Sequence, residues 1–299
     1  ERFDARMPFT LTEGQLSVSR EIHADLAAGH PMHRLLQGEV GSGKTVVALR
    51  AMLQVVDSDG QAALLAPTEV LAQQHHRSIS AMLGDLAGGG MLGGAEDGTQ
   101  VALLTGSLGA AARRSALLDA ASGAAGIVIG THALLEEQVQ FADLGLVVVD
   151  EQHRFGVQQR HTLRRKGDAL VPHQLMMSAT PIPRTLSMTY YADLDVSTID
   201  QLPPGRRPVA TRLAAASRRP EVLARIRDAC EEGQQAYWVC PVIEESREGD
   251  LQTALDTFAT LQKELKGLRV GLLHGRLPAA EKAAVMAAFQ GNRLQLLVC

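Results

Sequence analysis

The feature that most restricts the fold is the run GEVGSGKT at residues 38–45. It fits the pattern GxxxxGK followed by Ser or Thr, with apolar residues before it and a helical pattern after it. The glycines of such a loop let the backbone curl so that its N–H groups converge on phosphate oxygens, at the positive end of the next helix. The run therefore predicts a strand, a phosphate-binding loop and a helix, in that order.

Each part of this loop has an expected role in binding a nucleoside triphosphate. Lys44 is expected to neutralise the β- and γ-phosphates, and Thr45 to ligate Mg²⁺. The cofactors that we expect are therefore ATP and Mg²⁺. The other nucleotide-binding positions are the backbone groups of Gly38, Gly41, Ser42 and Gly43.

Short apolar runs alternate with helical patterns along the whole chain. The segment 146–149 is Leu-Val-Val-Val, as expected for a strand that is buried on both faces of a parallel sheet. The alternation predicts an α/β fold built from βαβ units. Predicted strands are 34–36, 61–66, 100–105, 126–129, 144–149, 174–177, 236–239, 268–273 and 295–298. Predicted helices are 15–28, 44–56, 69–83, 110–121, 220–231, 250–265 and 279–289.

Two segments interrupt this alternation. Residues 201–208 hold three prolines and a glycine, which neither a helix nor a central strand accommodates, so we interpret them as a linker. Domain 1 is then 1–200 and domain 2 is 209–299. Residues 84–98 hold seven glycines and predict a flexible surface loop or an insertion.

Charge is distributed unevenly within a net charge of −4. Residues 1–150 hold nine basic and seventeen acidic side chains, and an excess of basic residues begins directly afterwards, between 151 and 184. This excess fits binding to phosphate backbones, although a solvated surface is the ordinary alternative. Aromatic residues are only 3% of the chain, which argues against a stacking platform for single strands.

Several classes of protein are excluded by composition. No stretch approaches eighteen consecutive apolar residues, so a transmembrane helix is not expected. The first residues lack the pattern of a signal peptide. The three cysteines have neither metal-ligand spacing nor a disulfide framework, which suits a reducing cytoplasm.

Two acidic residues follow the apolar run 144–149. Parallel sheets bind ligands at the carboxyl ends of their strands. Asp150 is therefore expected to hold Mg²⁺, and Glu151 to polarise the attacking water as a general base. Acidic residues commonly follow strands, and it is the phosphate loop upstream that gives this pair its weight.

The residues around this pair resemble a known family. Asp150-Glu151-Gln152-His153 and Ser178-Ala179-Thr180 resemble motifs II and III of superfamily 2 helicases and translocases. The longer runs DEQHRFGV at 150–157 and SATPIPRT at 178–185 are narrower and resemble the RecG family of branched-DNA helicases. Further matching segments are 8–15, 66–75, 130–133, 190–195, 236–240 and 273–276.

This resemblance implies two RecA-like P-loop domains and an ATP-dependent helicase-translocase. Its partners would be double-stranded and branched DNA, such as replication forks and Holliday junctions, contacted through the phosphate backbone. It would remodel stalled forks in the bacterial cytoplasm, at the nucleoid and not at a membrane. The transcription-repair coupling translocase is an alternative, against which Gln152 and the segment 202–206 favour RecG. A P-loop NTPase switch that does not act on DNA is the second alternative, and an RNA helicase is a weaker third.

The resemblance also implies roles for residues around the nucleotide. Phe9 would stack on adenine and Gln15 would read its edge, although Phe9 alone fits an apolar residue that packs at a helix start. Gln152 and His153 would link the γ-phosphate to domain movement, together with Ser178-Ala179-Thr180.

A further set of residues would contact DNA by the same resemblance. Each of them also fits an ordinary turn with a capping Thr or Ser. They are Pro67, Thr68, Thr105, Gly106, Thr131 and His132 in domain 1. Arg184 would contact DNA or the facing domain, and His274 in domain 2 would lie near the DNA or in a tight turn.

Three parts of the family pattern have no counterpart in these residues: motif V, motif VI with its arginine fingers, and the N-terminal wedge domain. We therefore expect the second domain to be truncated. Because arginine fingers accelerate related NTPases by about 10³–10⁵, residues 1–299 alone are expected to hydrolyse ATP only slightly.

Overall fold

The chain divides into two compact units, Glu1–Arg207 and Pro208–Cys299. The computed structural model describes residues 2–89, 95, 98–150, 171–180, 194–201, 209–240 and 247–299, with only the backbone for 2, 247–252 and 279. Residues 202–208 of the predicted linker at 201–208 lie outside these ranges, so the limits of the linker stay a prediction. Within the described ranges, no helix has the length and apolar character needed to cross a membrane.

The first unit is built on a parallel sheet that has seven strands in its described part. The strands follow the order β3-β4-β2-β5-β6-β1-β7 across the sheet. Their bounds are β1 His33–Gly38, β2 Gln61–Leu65, β3 Gln100–Leu104, β4 Ala125–Gly130, β5 Leu144–Asp150, β6 His173–Ser178 and β7 Asp195–Ile199. Because every pairing is parallel, the carboxyl ends of all these strands meet at one edge.

Helices precede and connect these strands. Their bounds are α1 Arg2–Arg6, α2 Glu13–Leu26, α3 Lys44–Val56, α4 Glu69–Leu83 and α5 Ala110–Ser122, with short 3-10 helices at Gly84–Ala87 and His132–Leu135. Helix α2 starts two residues before its predicted start, because Thr12 and Gln15 form a capping box that extends the helix. Helices α3 and α4 have their predicted bounds.

Alternate residues of the central strands face two separate cores. In β5, Leu146 and Val148 pack with helices on one face, whereas Val147 and Val149 pack in the core on the other face. All four side chains are almost completely buried. This two-sided burial is the reason why β5 has a continuous apolar sequence and no polar alternation.

One strand and one α-helix were not predicted, and one prediction was wrong in part. Strand β7 carries polar residues and lies at the sheet edge, where its pairing with β1 stabilises it rather than an apolar run of its own. Helix α1 is only five residues long, and it buries the side chain of Phe3. The segment 84–98 does not begin as a loop: Gly84–Ala87 is a 3-10 helix that buries Leu86, and Gly88 bridges to Gln100.

The second unit has its own small parallel sheet, of order β8-β10-β9 in the described part. The strands are β8 Ala236–Trp238, β9 Val270–Leu272 and β10 Leu296–Val298, and the helices are α6 Arg219–Glu231, α7 Arg247–Glu264 and α8 Ala279–Gln290. Leu261, Leu265 and Leu296 are completely buried in its core. The predicted α/β class with parallel sheets is thereby confirmed.

Candidate functional site

The loop between β1 and α3 has two glycines in left-handed conformations and leaves the start of α3 without a side-chain cap. Gly41 and Gly43 both adopt positive φ angles, of 84° and 88°, which glycine populates without strain. Gly43 is the N-cap of α3 and offers no side chain to the helix. The first N–H groups of α3 therefore have no side-chain cap and can bind an anion.

Lys44 folds over the loop that precedes it. Its Nζ donates to the carbonyl oxygens of Gly38, at 2.6 Å, and Glu39, at 3.0 Å. These two bonds hold the ammonium group against the loop that is predicted to bind phosphates. Thr45 follows in the first turn of α3 and is half-buried.

Gln15 of helix α2 contacts the loop through its side-chain amide. It is 5% exposed, its Oε1 accepts from the Thr12 N–H at 2.9 Å, and its Nε2 donates to the Ser42 carbonyl at 2.8 Å. Ser42 itself is completely buried, and its hydroxyl has no hydrogen-bond partner within the described residues. The predicted adenine-reading role of Gln15 stays a prediction. Phe9, the predicted stacking residue, is 48% exposed.

Asp150 ends strand β5 at the same sheet edge as the loop. It lies level with Met177 of β6, and Met177 lies level with Leu36 of β1. With strands about 4.8 Å apart, β5 and β1 are separated by roughly 10 Å, which is the width of one intervening strand. The Oδ2 of Asp150 lies 2.7 Å from the Nε2 of His75.

The oxygen donors at this edge fit a Mg²⁺ ion that is shared with a nucleotide. Thr45 offers a hydroxyl and Asp150 a carboxylate, and Mg²⁺ prefers oxygen ligands. In the part of the chain that the structure describes, no cluster of three or more His, Cys, Asp or Glu side chains forms a metal cage. An ion held by few protein ligands takes the others from phosphate oxygens and water, as Mg²⁺ commonly does.

The Ser178-Ala179-Thr180 segment lies between these two groups. Ser178 ends β6, is 2% exposed, and pairs in register with Gln37 of β1. Its Oγ lies 3.0 Å from the Oγ1 of Thr180 and accepts from the Thr180 N–H at 3.2 Å. The segment is therefore a hydrogen-bonded turn between the strand of Asp150 and the strand of the phosphate loop.

The predicted DNA-contacting turns of the first unit follow β2, β3 and β4, which are neighbours on the other half of the sheet edge. Thr68 caps α4 by accepting from the Leu71 N–H at 3.3 Å. Thr68, Gly106 and His132 are exposed, and Pro67 is half-buried. Thr105 and Thr131 are 0% and 2% exposed, so their side chains do not reach the surface.

One carboxylate ties two of these turns together. The Oε1 of Glu69, in the first turn of α4, accepts from the Ser107 N–H at 2.9 Å.

In the second unit, His274 follows β9, and its Nδ1 is buried without a partner within the described ranges. The DNA-binding assignments of all these residues stay predictions.

Comparison with known proteins identifies the family of this chain. The DEAD/DEAH box helicase family matches residues 12–189, more than half of the chain. The chain belongs to this helicase family. The sequence is 54% identical to that of the ATP-dependent DNA helicase RecG of Mycobacterium tuberculosis, and the match covers 98% of this chain and 42% of the relative. It is 51% identical to RecG of Acidithiobacillus ferridurans, over 100% of this chain and 42% of the relative.

A solved structure of RecG bound to a three-way DNA junction is similar to the whole helicase chain, with a TM-score of 0.75 and 38% identity, and the match covers 37% of that chain. The predicted resemblance to the RecG family and the RecA-like fold are confirmed. The helicase chain spans about two fifths of the length of these relatives.

Several predicted residues of the helicase lie outside the described residues. These are Glu151, Gln152, His153 and Arg184, together with most of the basic excess between 151 and 184. Their roles stay predictions.

The structure places His75 at the site of the helicase, although the sequence predicts no contact for this residue of a matching segment. Glu69 directly follows Pro67 and Thr68 in a segment that resembles a DNA-contacting motif, but its bond to Ser107 was not predicted. For His75 a signal was present: it is a polar residue on the helix stripe that contains the buried Ala72 and Ile79.

Proposed function

We propose that the chain is the motor of an ATP-dependent helicase-translocase that acts on branched and double-stranded DNA. In this proposal it remodels stalled replication forks and recombination junctions, in the bacterial cytoplasm at the nucleoid. The observation that carries the proposal is the phosphate loop at the edge of a sheet whose fold is similar throughout to RecG bound to a three-way DNA junction.

At the nucleotide half of the sheet edge, phosphate binding, Mg²⁺ binding and activation of water are carried out by different residues. The uncapped N–H groups of α3 and the ammonium of Lys44 bind the phosphates, and Lys44 exchanges its loop carbonyls for phosphate oxygens. Thr45 and Asp150 would hold Mg²⁺, which when bound offsets the negative charge of the β- and γ-phosphates. Glu151, the next residue after Asp150, orients water and accepts its proton.

The DNA half of the edge is formed by the turns after β2, β3 and β4. Because these strands are neighbours, the exposed Thr68, Gly106 and His132 lie along one side of the unit. Backbone N–H groups and hydroxyls of this kind bind phosphates without reading bases. The Glu69–Ser107 hydrogen bond holds two of the turns in a fixed relation, so that they would act as one surface.

Stimulation of ATP hydrolysis by DNA tests this function. In the full-length protein that contains this chain, ATPase rates are measured without nucleic acid and with a three-way junction, a linear duplex and a single-stranded RNA. We expect the junction to stimulate most and the RNA least. Because backbone contacts dominate, stimulation should weaken steeply as salt rises. A rate that none of the nucleic acids changes would favour an NTPase switch instead.

A further inference from the structure

The imidazole of His75 and the carboxylate of Asp150 form a contact that the roles assigned above leave unexplained. Nε2 and Oδ2 lie 2.7 Å apart, and only 13% of the His75 side chain and 14% of the Asp150 side chain are exposed. An ionised carboxylate can only accept hydrogen bonds, so the imidazole nitrogen is the donor. A neutral ring with its proton on Nε2 is sufficient for this bond.

The fold brings these two residues together although they are 75 positions apart in the sequence. Strands β2 and β5 are neighbours, and Leu65 of β2 lies level with Val149, the residue before Asp150. The chain leaves β2 at this level, turns, and enters α4. His75 then lies on the inward side of α4, between the fully buried Ala72 and Ile79.

The next residue shows that this orientation is specific to position 75. His76 is also half-buried, but its Nε2 lies 3.1 Å from the carbonyl oxygen of Val101 in β3. Consecutive residues of a helix point about 100° apart. Two adjacent histidines thus contact different strands, and only the first reaches the carboxylate at the sheet edge.

We propose that His75 is a positioning residue for the nucleotide–Mg²⁺ site, an inference that rests on the proposed function. By donating to Oδ2, it fixes the rotation of the Asp150 carboxylate and leaves Oδ1 for the cation. Side chains that ligate metals are commonly held by such outer hydrogen bonds, and loss of one lowers metal affinity about 10- to 100-fold. A carboxylate without this donor would rotate among several orientations and bind the ion less tightly.

The test measures the Mg²⁺ dependence of nucleotide binding in the full-length protein at fixed pH. A fluorescent ADP analogue is titrated with Mg²⁺, and separately in EDTA. We expect His75→Ala to raise the Mg²⁺ concentration for half-maximal binding about tenfold or more, while binding in EDTA is unchanged. For His75→Gln, the Mg²⁺ concentration for half-maximal binding should be close to that of the wild type, because the glutamine amide nitrogen reaches about the position of Nε2.

His76→Ala is the matched control. It removes the adjacent histidine of the same helix, and its Mg²⁺ dependence should equal that of the wild type. If His75→Ala does not fold, His75→Met and His75→Gln are compared, since both fill the space and only glutamine donates. The proposal is overturned if the alanine or methionine variant keeps the wild-type Mg²⁺ dependence, or if glutamine restores nothing.

Failure of this inference can be told apart from failure of the proposed function. Were the proposed function wrong at the nucleotide site, the wild type itself would show no Mg²⁺-dependent nucleotide binding. Were only the inference wrong, the wild type would show that dependence and the His75 variants would share it.

Discussion

The side-chain amide of Gln15 donates a hydrogen bond to the Ser42 carbonyl at 2.8 Å, and this bond fastens the start of helix α2 to the phosphate loop. The same side chain accepts from the Thr12 N–H. Loop support and recognition of adenine are therefore separable roles for one amide. A loop-supporting role affects the binding of ATP and GTP alike, whereas recognition of adenine affects the binding of ATP only.

For Gln15→Ala, we expect the affinities for ATP and GTP to fall by the same factor, about two- to tenfold, because the loop loses a hydrogen bond that no base provides. Titration of fluorescent analogues of both nucleotides measures this. Thr12→Ala is the control, since it removes the helix cap and leaves the bond to Ser42. A loss confined to ATP would support reading of adenine instead.

Lys44→Ala should lower nucleotide affinity about tenfold or more, because a charge-assisted contact with phosphate contributes roughly 1.5–3 kcal/mol. The fold should persist, since the loop conformation depends on its backbone. Lys282→Ala is a matched control: its Nζ also donates to a backbone carbonyl, that of Gly275, at 2.6 Å in the second unit. Equal affinities for the Lys44 variant and the wild type in calorimetry would refute the assignment.

Asp150→Asn and Glu151→Gln should have different effects. The first removes the predicted ligand charge, so Mg²⁺ dependence and nucleotide affinity should weaken together. The second keeps shape but removes the base, so binding should persist while the hydrolysis rate falls about 10²-fold or more. Rates and affinities are measured side by side in the full-length protein. Indistinguishable behaviour of the two variants in Mg²⁺-ATP binding would show that this division of roles is wrong.

Gln61→Leu should destabilise the first unit. The buried amide of Gln61 donates to the carbonyls of Ala120 and Ala125 and accepts from the N–H groups of Ala142 and Asp143, over distances of 2.7–3.1 Å. Removing it leaves several buried groups unpaired, at about 1–3 kcal/mol each. Urea unfolding should therefore show a loss of about 3 kcal/mol or more. Gln54→Ala, which loses one long exposed bond, should change little.

Stability should also fall at acidic pH through His173. Burial lowers the pKa of His173, with Asp25 opposing this effect and His30 and His33 adding to it. Its Nδ1 accepts from the Met32 N–H at 2.9 Å, which requires the neutral ring. The unfolded chain therefore takes up this proton more readily than the fold. The free energy of unfolding should decrease as the pH falls below about 6.5.

His173→Asn tests this pH dependence, because asparagine keeps an acceptor for Met32 and does not titrate. Unfolding by urea is followed between pH 8 and pH 5 for both proteins. The variant should lose less stability than the wild type over the acidic part of the range. Parallel curves would mean that other groups cause the dependence.

Much of the first unit could be predicted from local sequence. The phosphate loop, helices α3 and α4 and the strand β5 were predicted within a residue of their bounds, because each depends on a local pattern of glycines or apolar residues. Asp150 could be placed at the sheet edge for the same reason. Strand β7 could not, because an edge strand with alternating polar residues is stabilised by the strand it pairs with.

The sequence by itself determined most of the strands and helices, and which loop has the pattern of a phosphate-binding loop. Only the tertiary structure decided that β2 lies beside β5, and hence that His75 reaches Asp150. It likewise decided that Gln15 of α2 reaches Ser42 in the loop after β1. It also decided that Thr105 and Thr131 are buried. The physical reason is range: helix and strand patterns arise within a few residues, whereas the order of strands depends on burial of both sheet faces by segments far apart in the chain.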